Sequence, residues 1–428
     1  MRIYKMELQT ARGVSDVAPE EKIVQNKVVD TIRGVFELYG FLPLETPIIE
    51  RYETLAAKYG AGSGSDVLKE TFKLQDQGKR NLGLRFELTT SLARYIAMNP
   101  NLKMPFKRYE MGPVFRDGPI KAGRVRQFWQ CDIDTIGTNS MLAEAEILAV
   151  VQEVFSRLGL DIVIKINNRK LLSGILEQAG IKKKEEAIIS IDKLEKIGVK
   201  GVSTELEEKG FTKKQIQEVF SLIKEGVKLN ELKKLVKNEE ALEGIAELEE
   251  LFSYLKEMKV KVDFSVTLAR GLAYYTGTVY EVFAKKSQVT SSLAAGGRWN
   301  NMIGKFMGGN NEIPAVGVAF GLVPIMEVLK EKDNFLQKTN TKVYVVPINT
   351  VKESLQIVQE LREKGVAADF SLGKKGVSKN LQYANALGIP YIIIIGEDEL
   401  KQKKVLLRDM NSGTEQLLSV EQVVKKLK

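Results

Sequence analysis

The sequence predicts an α+β domain on an antiparallel sheet, interrupted by a helical insertion and followed by a separate α/β domain. Three stretches carry this expectation. Residues 106–137 hold two strand-like runs, FKRYEMGPVF and VRQFWQCDIDTIG, on either side of a turn rich in Gly and Pro. Residues 171–259 are dominated by Lys and Glu, with apolar residues at helical spacing, as in EALEGIAELEELFSYLKEM. Residues 342–428 alternate strand and helix patterns, which implies three layers around a partly parallel sheet. The expected limits are 1–330 for the first domain, with the insertion at about 171–259, and 342–428 for the second. A polar tether, KEKDNFLQKTNT, joins them.

Taken in order, residues 19–39 form an amphipathic helix with Ile23, Val24, Val28, Ile32, Val35 and Phe36 on one stripe. Pro19 suits its first turn and Gly40 the position past its end. Pro43 and Pro47 place FLPLETPIIE in loops or at a sheet edge. NLGLRFELTTSLARYIAMN (81–99) reads as a strand that passes into a helix at about Thr90. Period-two alternation then sets Glu87 and Thr89 on one face. After the hairpin, Ser140 is a candidate N-cap for the helix MLAEAEILAVVQEVFSRL, which Gly159 ends. IVIKI (162–166) is a strand. The charges of the insertion read as a solvated face, with contact to a nucleic acid as a second reading. Strand character returns in VDFSVTLARGLAYYTGTVYEVF (262–283), followed by the glycine-rich LAAGGRWNNMIGKF and PAVGVAFGLVPIMEVL. In the last domain the strands are KVYVVPI, VAADFS, PYIIIIG and VLLRDM. The helices are VKESLQIVQELREK, SKNLQYANAL and a final one after the turn NSGT.

Composition narrows the class. A chain of 428 residues with 44% hydrophobic and 28% charged content suits a soluble protein of two or three domains. No apolar stretch approaches the ~20 residues of a membrane span. MRIYKMELQTARG lacks the apolar run of a signal peptide. The single cysteine, Cys131, excludes intramolecular disulfides and a Cys-rich zinc site, so a cytoplasmic location is expected. A formal charge of +9 suits an anionic partner such as RNA. The chain has no histidine, which excludes imidazole acid–base catalysis and histidine metal ligands.

The hairpin carries the chemistry. Arg116 closes its first run, and Arg124 and Arg126 open the second. Alternation then places Gln130, Asp132 and Asp134 on one face. Buried charge is too costly unless it is paired or holds a ligand. The arginines suit a polyphosphate, and the carboxylates suit a cationic or hydrogen-bonding group beside it. The plainer reading is a polar hairpin on a surface sheet.

This combination resembles motif 2 of the class II aminoacyl-tRNA synthetases. The spelling G-R-x-R-Q-F-x-Q-x-x-x-D is similar to that of the histidyl-tRNA synthetases, of class IIa. The helix 19–39 and the segment after it resemble the dimer-forming motif 1. LARGLAYYTG (268–277) is similar to LxRGLDYYTG, and AAGGRWNNMIGKF to G-G-R-Y-D-x-L. Residues 342–428 resemble the anticodon-binding domain through G-V-A-A-D-F, K-N-L-Q-Y-A-N-A-L-G-I-P-Y and I-I-G-E-D-E-L.

The resemblance implies a cytoplasmic homodimer that uses ATP and Mg2+ to convert histidine to histidyl-adenylate and then charges tRNA(His). By motif position, Arg116 would bind the α-phosphate and the amino acid carboxylate. Arg124 would reach the β- and γ-phosphates, with Arg126 beside it, and Phe128 would stack under adenine. Glu87, Thr89 and Gln130 would hold the α-ammonium group. Asp134 and Tyr275 would read the imidazole from opposite sides; for Asp134 the plainer alternative is an ion pair with an arginine. Tyr274 would line the same pocket or simply pack. Arg270 would stabilise charge on the α-phosphate. Gly296 and Gly297 would let backbone approach the amino acid, and Trp299 reads equally as a core aromatic. No residue is singled out as a metal ligand.

The chain departs from the family pattern at several positions. Ala273 replaces the aspartate of LxRGLDYYTG. Gly118 replaces the glutamate of F-R-x-E, with Asp117 as a substitute contact to adenine. Pro324 stands where motif 3, G-L-E-R, ends in arginine, and Thr90-Ser91 replaces Val-Pro. These changes raise a second expectation: a catalytically reduced paralogue acting as a histidine-binding regulatory subunit, as in ATP phosphoribosyltransferase. That class generally lacks a domain like 342–428. A third, an RNA-binding protein that uses the last domain alone, leaves the Arg116–Asp134 face unexplained.

Overall fold

Eight strands make the main sheet, in the spatial order Leu42–Pro43, Phe106–Phe115, Gln127–Ile136, Ala315–Gly321, Ala294–Arg298, Thr278–Ala284, Ile162–Asn168 and Asp263–Phe264. The two outermost pairs are parallel and the rest antiparallel. These features come from a computed structural model that describes residues 8–57, 66–120, 124–269, 274–309, 312–332, 335–373 and 376–428. The chain divides into two units. One comprises the residues up to Asp16 with Val28–Lys332, and the other Val17–Lys27 with Asp333–Lys428.

Within the larger unit, the hairpin register pairs Phe106 with Ile136 and Phe115 with Gln127. Residues directly opposite each other share a face, so the two faces separate by parity. One face carries Tyr109, Cys131, Ile133, Val318 and Phe320, all buried. The helices Pro19–Leu38 and Leu142–Arg157 reach it through Phe36 and Phe155, whose rings lie 5.6 and 5.7 Å from that of Phe320. The other face carries Arg108, Glu110, Asp132 and Asp134. At one end of the polar face, the helices Thr89–Met98 and Met302–Phe306 pack through Leu92, Ala93, Ile96, Met302 and Ile303 around Trp299.

The expected alternation over Glu87 and Thr89 does not occur. The strand there is Asn81–Leu84, and the helix starts at Thr89. Glu87 instead accepts the backbone N–H groups of Thr89, at 2.6 Å, and Thr90, at 3.1 Å. An acidic side chain is favoured there because the first turn of a helix leaves N–H groups without partners.

Six helices span the insertion: Arg169–Gln178, Lys184–Ile191, Leu194–Glu208, Lys213–Leu222, Leu229–Leu235 and Glu239–Glu257. Its first and last helices cross closely. A Cβ at Gly174 would lie 2.5 Å from the Ala241 nitrogen, and one at Gly244 would lie 2.6 Å from the Leu171 nitrogen. Its surface is laced with Lys–Glu pairs such as Lys170–Glu247 and Lys184–Glu240.

The smaller unit has a five-stranded sheet in the order Ala368–Phe370, Val343–Pro347, Tyr391–Ile395, Val405–Asp409 and Glu415–Leu418. The first three strands are parallel and the last two pairings antiparallel. Helices Val351–Glu363 and Val420–Leu427 cover one face through Val358, Leu361 and Val423; helix Val377–Ala386 covers the other through Ala384. Glu415–Leu418, which follows the turn NSGT and for which the sequence predicts no element, is an edge strand. Its first two residues are exposed, so it carries little apolar signal. Among the described residues, no helix is long and apolar enough to cross a membrane.

Candidate active site

The polar face of the main sheet is a basin with a charged wall and a floor of small residues. The hairpin forms the wall. Across the neighbouring strands, Gly317 and Ala319 lie opposite Asp134 and Asp132, and Gly297 and Ala295 lie beyond them. The floor is tight. A Cβ on Gly317 would sit 1.9 Å from Asp134 Oδ1, and one on Gly297 would sit 2.4 Å from the Thr278 carbonyl and 3.1 Å from the Tyr275 ring. The Tyr280 hydroxyl donates to the Gly317 carbonyl at 2.8 Å and fixes the floor from behind.

Charge is buried in this wall. Arg108 is fully enclosed, with Nη2 2.7 Å from Asp134 Oδ2 and Nη1 3.7 Å from Glu110 Oε2. Asp134 thus forms the arginine pair that its plainer reading anticipated. Glu110 Oε1 also accepts from Arg85 Nη1 at 2.9 Å and from the Thr46 backbone N–H and hydroxyl at 2.9 and 2.8 Å. Arg85 Nε and Nη1 also donate to the carbonyls of Pro113 and Thr46, each at 2.9 Å. Arg85, Arg108 and Glu110 are not among the residues expected from sequence, although Arg108 and Glu110 alternate in phase along the first hairpin run.

Burial pushes the Asp134 carboxyl up to about 7. The Arg108 guanidinium and the Trp299 indole N–H pull it down, while Glu87 and Glu110 add to the rise. Asp132 is also raised well above the usual carboxylate range, again chiefly by burial, with Arg108 opposing and Asp134, Glu87 and Glu110 reinforcing. Its Oδ1 and the Gln130 Oε1 are buried without hydrogen-bond partners among the described residues. Buried acceptors in this state suit a ligand that brings N–H groups.

At the mouth, the Arg116 guanidinium lies between two rings, 4.4 Å from Phe86 and 4.8 Å from Phe128, with its Nε 3.4 Å from the Phe86 carbonyl. Arg124 Nη2 contacts both oxygens of Glu70 at 2.7 Å. Arg126 pairs with Asp117 at 3.0 Å and packs on Gly13, whose carbonyl takes its backbone N–H. Asp117 is therefore engaged with Arg126. Glu70, which sequence reasoning missed, lies beside Gly118.

The Tyr274 and Tyr275 rings lie 4.3 Å apart against the cluster that contains Trp299. Trp299 is a core aromatic with its indole N–H turned to Asp134. Behind these residues Arg298 makes a buried two-pronged pair with Glu144, at 2.6 and 2.7 Å, and its carbonyl accepts the Thr276 N–H. Arg270 and Ala273 lie outside the described residues. Pro324 occupies the first turn of helix Leu322–Lys330, where a missing N–H costs nothing.

The structure thus groups Gln130, Asp134 and Tyr275 around the floor. Glu87 is close enough for its charge to raise both Asp132 and Asp134, and Arg116 and Phe128 stand at the mouth. The model of the histidyl-tRNA synthetase family matches residues 13–325, and that of an anticodon-binding domain matches residues 342–428. The chain is 43% identical to histidine–tRNA ligase 1 of Bacillus cereus, over 96% of this chain and 95% of that protein. It is 37% identical to the histidine–tRNA ligase of Clostridium tetani over 97% of each. The crystal structure of histidyl-tRNA synthetase from Nostoc sp. PCC 7120 superposes with a TM-score of 0.87 at 32% identity, covering 99% of both chains. An ATP phosphoribosyltransferase regulatory subunit/histidyl-tRNA synthetase from Bacillus halodurans shares the fold at 19% identity, with a TM-score of 0.74 over 88% of this chain and 97% of that one.

Proposed function

Because the chain belongs to the histidyl-tRNA synthetase family, we propose that it activates histidine with ATP and passes the histidyl group to tRNA(His), with the Arg116–Asp134 face carrying the first step. The observation that carries this reading is a buried, carboxylate-lined basin with an arginine held between two rings at its mouth. The family match extends through the anticodon-binding domain, which favours the synthetase over the histidine-binding regulatory subunit.

The residues divide the work by charge. Glu87, Thr89 and Gln130 take the α-ammonium group. Asp134 and Tyr275 hold the imidazole. Arg116 bridges the substrate carboxylate and the α-phosphate, Arg124 serves the outer phosphates, and Phe128 supplies a stacking surface. Arg126 keeps the arm in shape through Asp117 and Gly118. Arg270 is assigned to the α-phosphate by motif position. In the reaction a carboxylate oxygen of histidine bonds to the α-phosphorus as the bond to pyrophosphate breaks. No proton moves, so positioning and charge stabilisation suffice and a chain without histidine is no obstacle. Mg2+ would come bound to the triphosphate, as part of the substrate.

Two further assignments complete the reading. Leu38, Leu42, Ile48 and Ile49 are exposed along the first helix and the segment after it, an apolar surface that suits a homodimer. One buried cysteine and no disulfide suit the cytoplasm. The test is histidine-dependent exchange of pyrophosphate into ATP, followed by charging of tRNA(His). Histidine binding without exchange would transfer the protein to the regulatory class.

Asp134 also makes this reading depend on pH. Its folded pKa is raised, so it contributes stability that is present at low pH and lost as pH rises through about 7. Ionisation in that range produces the acceptor the imidazole needs. Histidine kcat/KM should therefore rise between about pH 6 and 8. Arg108→Met, which removes the chief lowering charge, should move the midpoint to higher pH, and Arg108→Lys should restore most of it. An unmoved midpoint in Arg108→Met would separate Asp134 from the profile.

A further inference from the structure

The carboxylate nearest the phosphate-facing arm comes from outside the hairpin. Glu70 follows the short helix Asp66–Lys69, and its carbonyl accepts the Asp117 N–H at 2.7 Å. Its carboxylate stands over Gly118. A Cβ built there would lie 2.7 Å from Glu70 Cδ and 2.8 Å from both oxygens. The absence of a side chain at 118 is what lets Glu70 occupy this place. Both oxygens are held by Arg124 Nη2. Asp117, the other carboxylate on the arm, is taken by Arg126.

The pair is easily exchanged. Arg124 is about half exposed, at 47%, so its end of the pair is screened by solvent, while Glu70 is 17% exposed. A triphosphate offers the guanidinium a stronger, two-pronged partner. Once Arg124 turns to phosphate, Glu70 is an acceptor with no donor, beside the arm that carries Phe128. A carboxylate accepts and never donates. Adenine presents an exocyclic amine, a donor; hypoxanthine presents a carbonyl at the same position, a second acceptor.

Building on the ATP-site reading above, we propose that Glu70 sets nucleotide specificity, accepting a hydrogen bond from the exocyclic amine of ATP after the triphosphate draws Arg124 away. A site that hydrogen-bonds one substrate rejects the analogue that leaves its polar group unmatched.

The test compares ATP with inosine triphosphate in histidine-dependent pyrophosphate exchange. The parent protein should prefer ATP. Glu70→Ala should lower kcat/KM for ATP by about 10- to 100-fold and shrink the ATP-to-ITP ratio by a similar factor. Gly118→Ala should reproduce the smaller ratio, because its methyl group displaces the carboxylate while the glutamate remains. Arg124→Ala should weaken both nucleotides alike. Retention of the histidine-induced rise in melting temperature would show that each variant keeps its amino-acid pocket. Equal losses for ATP and ITP in Glu70→Ala, or an unmoved ratio, would overturn the proposal and leave Glu70 as a tether for Arg124. If the parent exchanges pyrophosphate with neither nucleotide, the synthetase reading falls and this proposal falls with it.

Discussion

Arg116→Ala should lower histidine-dependent pyrophosphate exchange by at least ~100-fold, the usual scale for removing a preorganised charge contact. The guanidinium is preset: Phe86 and Phe128 flank it, and the Phe86 carbonyl is within reach of Nε. The two rings fix its plane before any phosphate arrives, so little reorganisation is needed as charge develops. Arg116 stands at the mouth, apart from the buried Arg85–Glu110–Arg108 wall, so melting temperature should change little. Arg116→Lys keeps the charge and loses the planar fork, and should recover only part of the rate. Exchange within about tenfold of the parent in Arg116→Ala would move the phosphate contact elsewhere.

Gly317→Ala should abolish histidine recognition. The new methyl group would lie 1.9 Å from Asp134 Oδ1 and 2.6 Å from the Ile133 carbonyl. Either the carboxylate swings away or the two strands part. The Tyr280 hydrogen bond to the Gly317 carbonyl resists the second outcome. Overpacking of this kind typically costs about 1–3 kcal/mol of stability, which calorimetry would read directly. The decisive comparison is between ligands: the variant should lose the melting-temperature rise given by histidine and keep that given by ATP. A full histidine shift in Gly317→Ala would show that the imidazole is not read beside this glycine.

Much of this architecture was legible in the sequence, and the failures have physical causes. The hairpin, the helical insertion and the alternating last unit were plain because each follows a single periodicity over many residues. Alternation also placed Gln130, Asp132 and Asp134 on one face, where the register puts them. It failed at Glu87, because the strand stops at Leu84 and a helix cap takes over within a few residues. The Arg108–Glu110–Arg85 wall was written in FKRYEMGPVF and NLGLRF. Reading it requires the strand register, which pairs Arg108 with Asp134, and a fold that brings residue 85 beside 110. Glu70 was invisible for a similar reason: the gap it fills is at Gly118, and no local pattern links the two.

The buried Asp134 sits in a chain that has no imidazole of its own. In a complex with histidine, every imidazole resonance would therefore come from the ligand. Isotope-labelled histidine would give ring-nitrogen signals against an empty background, and their shifts would report tautomer and protonation directly. With Asp134 raised to about 7 and free histidine titrating in the neutral range, the two groups ionise over the same pH span. Titrating those signals would show which partner holds the proton at each pH, a question that the resident histidines of most proteins would obscure.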